Sequence, residues 1–140
     1  MEYDDASWHY GGDFPKDLPK EAGATHTGMF LAWAVLSGLA GGVLIADFSN
    51  NLPKLRSRSV TPGKFFLKAC DGKFTDKDLN AEGNAFAQAY FEFKEGLYLA
   101  DYSETLGDGV TNLYQVADTW ENFDRLKPVL DQRFKEWKAK

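Results

Sequence analysis

The sequence has little with which to crosslink itself. Its 140 residues hold one cysteine, Cys70, so an intramolecular disulfide and a cysteine-built zinc cage are both excluded. Cys70 follows Phe65, Phe66 and Leu67 and is expected to act as a small buried hydrophobe. There are only two histidines, His9 and His26. No Gly-x-Ser-x-Gly elbow, phosphate loop or Gly-x-Gly-x-x-Gly run is present, so these routes to nucleophilic or nucleotide chemistry have no support. The first residues are acidic, without the basic and apolar regions of a secretory signal. Together with the lone cysteine, this points to a reducing cytoplasmic location.

Charge is also missing from a long stretch. Residues 22–46 contain no Asp, Glu, Lys or Arg, and Met29–Leu36 reads as the heart of a helix. A membrane span needs about 20 apolar residues. Here Gly38, Gly41 and Gly42 interrupt the run, and no close Lys or Arg gives it an orientation. The expectation is a buried central helix with Gly41 as its C-cap, and no membrane partner.

Aromatics are abundant, with 11 Phe, 6 Tyr and 4 Trp, enough to dominate a core and leave anchors for a binding surface. The net charge of −5 is unevenly distributed. Residues 1–21 carry six acids and two bases, and residues 71–122 carry eleven acids and three bases. Bases outnumber acids in residues 22–70 and 123–140. An acidic field repels phosphate backbones and steers basic proteins inward, so no nucleic-acid partner is expected. The short run Leu55–Ser59 with Arg56 and Arg58 is too small to change this and is expected to pair with the acidic segments.

Helix signals continue along the chain. Ser49 can cap a turn through Pro53–Arg58. Thr61-Pro62 is a cap with proline at the first helical position. Asp71-Gly72 is a turn, and Thr75-x-x-Asp78 resembles a capping box before a helix placing Leu79, Phe86, Ala89, Tyr90 and Phe93 on one face. A short helix spans Tyr98, Leu99 and Tyr102 and ends at Gly107. The final helix opens at Asp118–Glu121 and carries Phe123, Leu126, Leu130, Phe134 and Trp137 as a stripe, with a kink or break expected near Pro128. Strand signals are scarce, Gly42–Phe48 being the one doubtful stretch. The fold class is all-α: one domain, residues 1–140, of about five to seven helices, with residues 1–21 as an irregular acidic segment packed on the body.

Candidate chemistry is sparse. A calcium loop with Gly72 at its sixth position would place Leu67 and Ala69 at the first and third, where neither offers a side-chain oxygen. His9 and His26 with nearby aspartates could form a two-histidine, one-carboxylate metal site, but the 17 residues between them cross a loop and leave their proximity open. Carboxylates beside flat, hydrogen-bonding rings suit the capture of a basic protein. The expected partner-binding residues are therefore Asp4, Asp5, Trp8, His9, Tyr10, Asp13, Asp76 and Asp78. Trp8 and Tyr10 could instead plug one end of the bundle. No catalytic residue, metal ligand or cofactor is assigned.

The strings Tyr3–Pro15 (YDDASWHYGGDFP), Thr25–Trp33 (THTGMFLAW), Arg58–Gly63 (RSVTPG) and Val116–Phe123 (VADTWENF) resemble an uncharacterised bacterial family of small cytoplasmic proteins. The resemblance covers essentially the whole chain and carries no catalytic motif. Such small acidic proteins are similar to the immunity proteins that bacteria pair with antibacterial toxins. The resemblance implies a non-enzymatic binding protein that occludes the basic active-site cleft of a cognate protein toxin. The alternatives are a metal-dependent enzyme using His9 and His26, and a cytoplasmic adaptor.

Overall fold

The computed structural model describes residues 2–9, 18–46, 51–91, 97–110 and 112–140. Seven α-helices lie among them: α1 (Thr25–Leu36), α2 (Gly42–Ala46), α3 (Asn51–Arg56), α4 (Pro62–Cys70), α5 (Ala81–Tyr90), α6 (Tyr98–Leu106) and α7 (Trp120–Lys138). The fold is an all-α bundle with one small antiparallel sheet of β1 (Glu2–Asp5) and β2 (Lys73–Thr75).

The charge-free stretch becomes α1, and Thr25 to Val35 are all buried. A helix enclosed on every side has no face for a charge, which accounts for the composition. Among the described residues, no helix is long and apolar enough to cross a membrane. α1 packs most extensively on α4. Gly28 makes that approach possible, because a Cβ there would sit 2.7 Å from both the Gly63 Cα and the Pro62 carbonyl oxygen. α1 ends earlier than expected: Ser37 is its C-cap, and Gly38 takes the left-handed conformation at φ +83°. Gly41 instead packs against backbone, where a Cβ would meet the Lys77 carbonyl oxygen at 2.5 Å.

The core is aromatic. Phe30 of α1 lies 4.9 Å from Phe91, 5.3 Å from Tyr98 and 5.9 Å from Phe74 between ring centroids. Tilted and edge-on rings at these distances gain beyond their buried area. α7 closes the bundle with Phe123, Leu126 and Leu130 buried and Phe134 and Trp137 packed against the core. It runs unbroken through Pro128, so the expected break does not occur. Its Asp131 accepts a hydrogen bond from Trp33 Nε1 at 2.8 Å, joining α7 to α1.

Several local signals act as expected. The Thr61 hydroxyl accepts from the Lys64 N–H, with Pro62 in the first turn of α4. Thr75 and Asp78 form the capping box, although on a single 3-10 turn, and α5 begins later with Asn80 as its own cap. Leu79 therefore precedes α5, Ala89 is exposed and Ala87 is buried in its place. Gly107 caps α6 and Thr119 caps α7. Arg58 does pair with a carboxylate, through two hydrogen bonds of 2.9 and 2.7 Å, but that carboxylate is Asp124 of the base-rich C-terminal stretch and not of an acidic segment. Cys70 is half-buried against the core. Ser49 and Phe93 lie outside the described residues.

Two expectations are corrected. The doubtful strand near residue 42 is the short helix α2. The N-terminal segment is not irregular throughout, since residues 2–5 form β1. Glu2 pairs with Thr75, Asp4 with Phe74 and Asp5 with Lys73, with an irregularity between Glu2 and Asp4. A bulge of this kind breaks the strict alternation of a strand. Tyr3 and Asp4 are consequently both buried, while Glu2 is exposed and Asp5 half-exposed.

Candidate functional site

The inward turn of Asp4 creates the site. Tyr3 fills the core beside Phe74, and its hydroxyl donates to Asn84 Oδ1 at 2.6 Å. Asp4 is fully buried, and its carboxylate is met from two directions. From α1, the Thr27 hydroxyl donates to Oδ2 at 2.5 Å. From the 3-10 turn Ala6–His9, His9 Nε2 lies 2.9 Å from Oδ1 and 3.0 Å from Oδ2.

The 3-10 turn is built by its own residues. The Asp5 carboxylate accepts from the Ser7 N–H at 2.9 Å and the Ser7 hydroxyl at 2.7 Å, an arrangement that folds the chain back on itself. The Ala6 N–H donates to the Gly72 carbonyl at 2.8 Å, so the turn is also tied to the start of β2. His9 is thereby returned over Asp4. A carboxylate accepts, so His9 Nε2 donates to Asp4, and Nδ1 lies 2.8 Å from the Tyr114 hydroxyl.

His26 completes the cluster from the first turn of α1. Its ring packs edge-on against His9 at 4.7 Å between centroids, and its Nε2 lies 3.6 Å from Asp4 Oδ2. Burial lowers its pKa to about 4. The Asp4 charge opposes that shift and His9 adds to it, so the imidazole is neutral near pH 7. The ring of Tyr102 lies 6.1 Å from that of His26. Its buried hydroxyl has no hydrogen-bond partner among the described residues. Burial, with the Asp4 charge, raises the pKa of Tyr114. Tyr114 also lines a neighbouring cleft of about 300 Å³, with Thr25, Leu67, Val116 and Asp118 among its walls.

The expected partner-binding residues divide into two groups. Asp4 and Asp78 are buried, which corrects their assignment as surface contacts. Asp4 is committed to the histidine cluster, and Asp78 accepts from the Thr75 N–H in the capping box. Burial raises the pKa of Asp78. Trp8 is 57% exposed, so it does not plug the bundle. Asp5 and Asp76 are half-exposed, and His9 is half-buried. Tyr10 and Asp13 lie outside the described residues.

The chain matches the model of the family described as a domain of unknown function, DUF7832, over residues 2–116. It belongs to that family. The DUF7832 segment contains Asp4, His9, His26, Thr27 and Tyr114, whereas α7 lies beyond it. No curated protein and no solved structure matches the chain.

Thr27, Tyr102 and Tyr114 were not legible as members of this DUF7832 cluster. Tyr114 lies 105 residues from His9, with no motif linking the two. Thr27 adjoins His26, but only the bulge in β1 brings Asp4 to its hydroxyl.

Proposed function

We propose that this DUF7832 protein is a non-enzymatic, cytoplasmic binding protein of the immunity type. It neutralises a cognate protein toxin by occluding a basic active-site cleft. One observation carries the reading: β1 and β2 pair, so the first residues of the two acidic segments lie together although some 70 residues separate them. Glu2 and Asp71 are exposed and Asp5 and Asp76 half-exposed on this small sheet and its flanks. Trp8 projects from the turn that the Ala6–Gly72 hydrogen bond fixes there. Lys73 and Lys77 stand among the acids, so the face suits a predominantly basic partner with some acidic positions of its own.

The physical logic separates steering from holding. Carboxylates raise the encounter rate with a basic cleft, and an exposed indole supplies apolar area once the surfaces meet. The buried cluster behind the face has a positioning role, since His9 pins the end of the Trp8 turn to Asp4 and Tyr114.

Co-expression with the product of the adjacent gene, in a host that this product harms, tests this reading. Protection of the host cell is expected. Protection should be lost when Trp8→Ala is combined with Asp5→Lys, Asp71→Lys and Asp76→Lys in a protein that remains folded. A complex without protection would move the protein to the adaptor class. Absence of both complex and protection would overturn the reading.

A further inference from the structure

We propose that Asp4, His9 and His26 together bind one divalent transition-metal ion, with zinc the representative of the class. The site is independent of the partner-binding reading and stands if that reading fails.

The first ground is convergence. Each of the three residues offers a ligand atom, and these atoms lie within 4.8 Å of one another. Two imidazoles and a carboxylate form a donor set of borderline softness, suited to zinc, iron or their neighbours rather than to calcium or magnesium. The three come from different parts of the fold: the bulge of β1, the end of the following 3-10 turn and the first turn of α1.

The second ground is the state of His26. Its side chain is only 7% exposed, and Nε2 stands 3.6 Å from Asp4 Oδ2. That is beyond hydrogen-bond distance. A nitrogen and an oxygen each about 2.1 Å from a common ion, at a tetrahedral angle, lie about 3.4 Å apart. The separation thus suits two ligands of one ion better than two partners in a hydrogen bond. Each surrounding polar group then has a use. Thr27 donates to Asp4 and orients it. Ligation through His9 Nε2 leaves the ring hydrogen on Nδ1, 2.8 Å from the Tyr114 hydroxyl, which then accepts it. A ring N–H held in this way is the usual support of a metal-binding histidine. Three protein ligands leave a coordination position for water.

The chain has two histidines, so their ring signals can be read directly in the unmodified protein. Untagged protein stripped with a chelator is titrated with zinc chloride. Binding is followed by calorimetry and by the imidazole nitrogen resonances. One ion per chain is expected, with both histidines shifting together at one equivalent. Folded His26→Gln should bind at least about a hundredfold more weakly, and Tyr114→Phe, which keeps all three ligands, about tenfold more weakly. The proposal is overturned if zinc fails to bind at millimolar concentration, if only one histidine responds, or if folded His26→Gln binds as tightly as the unmodified chain. Should His26→Gln not fold, the paired histidine shifts and the Tyr114→Phe titration still decide the matter.

Discussion

Asp4 and Asp5 are adjacent in sequence and should differ greatly in what they contribute. In metal-free protein, Asp4→Ala removes the acceptor for the Thr27 hydroxyl and for His9 Nε2. Each donor left without a partner in or beside the core costs about 1–3 kcal/mol. Together with the space vacated by a fully buried side chain, the loss should be about 3–5 kcal/mol. Domains of this size are stable by about 5–15 kcal/mol, so the variant should lie near the edge of folding. Asp5→Ala loses only the two local hydrogen bonds to Ser7 at a half-exposed position. That resembles the loss of a helix cap, about 1 kcal/mol. Urea unfolding followed by tryptophan fluorescence, with a chelator present, measures both. Equal losses, or a loss below about 1 kcal/mol for Asp4→Ala, would refute the claim that the bulge in β1 delivers Asp4 to a buried cluster.

Three further outcomes follow from the packing and the charges. Gly28→Ala should cost about 1–3 kcal/mol or more in a thermal melt, because the added methyl meets the backbone of Pro62 and Gly63; Gly42→Ala, with nothing within 4 Å, should be close to neutral. Acid should weaken the metal-free fold between pH 6.5 and 4. The unfolded chain protonates His26 near 6.5 while the folded chain, where burial outweighs the Asp4 charge, resists to about 4. This contribution of about 3 kcal/mol is present above pH 6.5 and lost as pH falls through 4, and His26→Gln should flatten that part of a stability–pH profile. Arg133→Met should cost about 1–3 kcal/mol in urea, since Asp101 is buried and its carboxylate is held by Arg133 at 2.8 and 3.0 Å and by the Tyr90 hydroxyl at 2.6 Å.

The helices were legible because their signals are local. The Thr61-Pro62 cap, the Gly107 stop and the Phe123–Trp137 stripe each declare themselves within a few residues, and each acts as its spacing suggests. The sheet was not legible. β2 is three residues long, β1 is four acidic or aromatic residues with a bulge, and their pairing spans just over half of the chain. A strict alternation pattern cannot be found where consecutive residues both turn inward. The candidate site was half legible for the same reason. His9, His26 and the N-terminal aspartates stood out by residue type, but whether they meet depends on that pairing. Tyr114 arrives from the far end of the domain and carries no local signature. In the last helix, of the kink or break that Pro128 suggested, the break does not occur: Pro128 removes one N–H, yet α7 continues through it with core-packed residues on both sides.

The most direct test of the proposed role is the association rate of the purified protein with the proposed partner, the product of the adjacent gene, over a series of salt concentrations, for the unmodified chain and for the Asp5→Lys, Asp71→Lys, Asp76→Lys variant. If the β1–β2 face steers a basic partner, association slows steadily as salt rises, and charge reversal slows it further at low salt while the folded state persists. Association indifferent both to salt and to the reversal would contradict the account and take these carboxylates out of recognition.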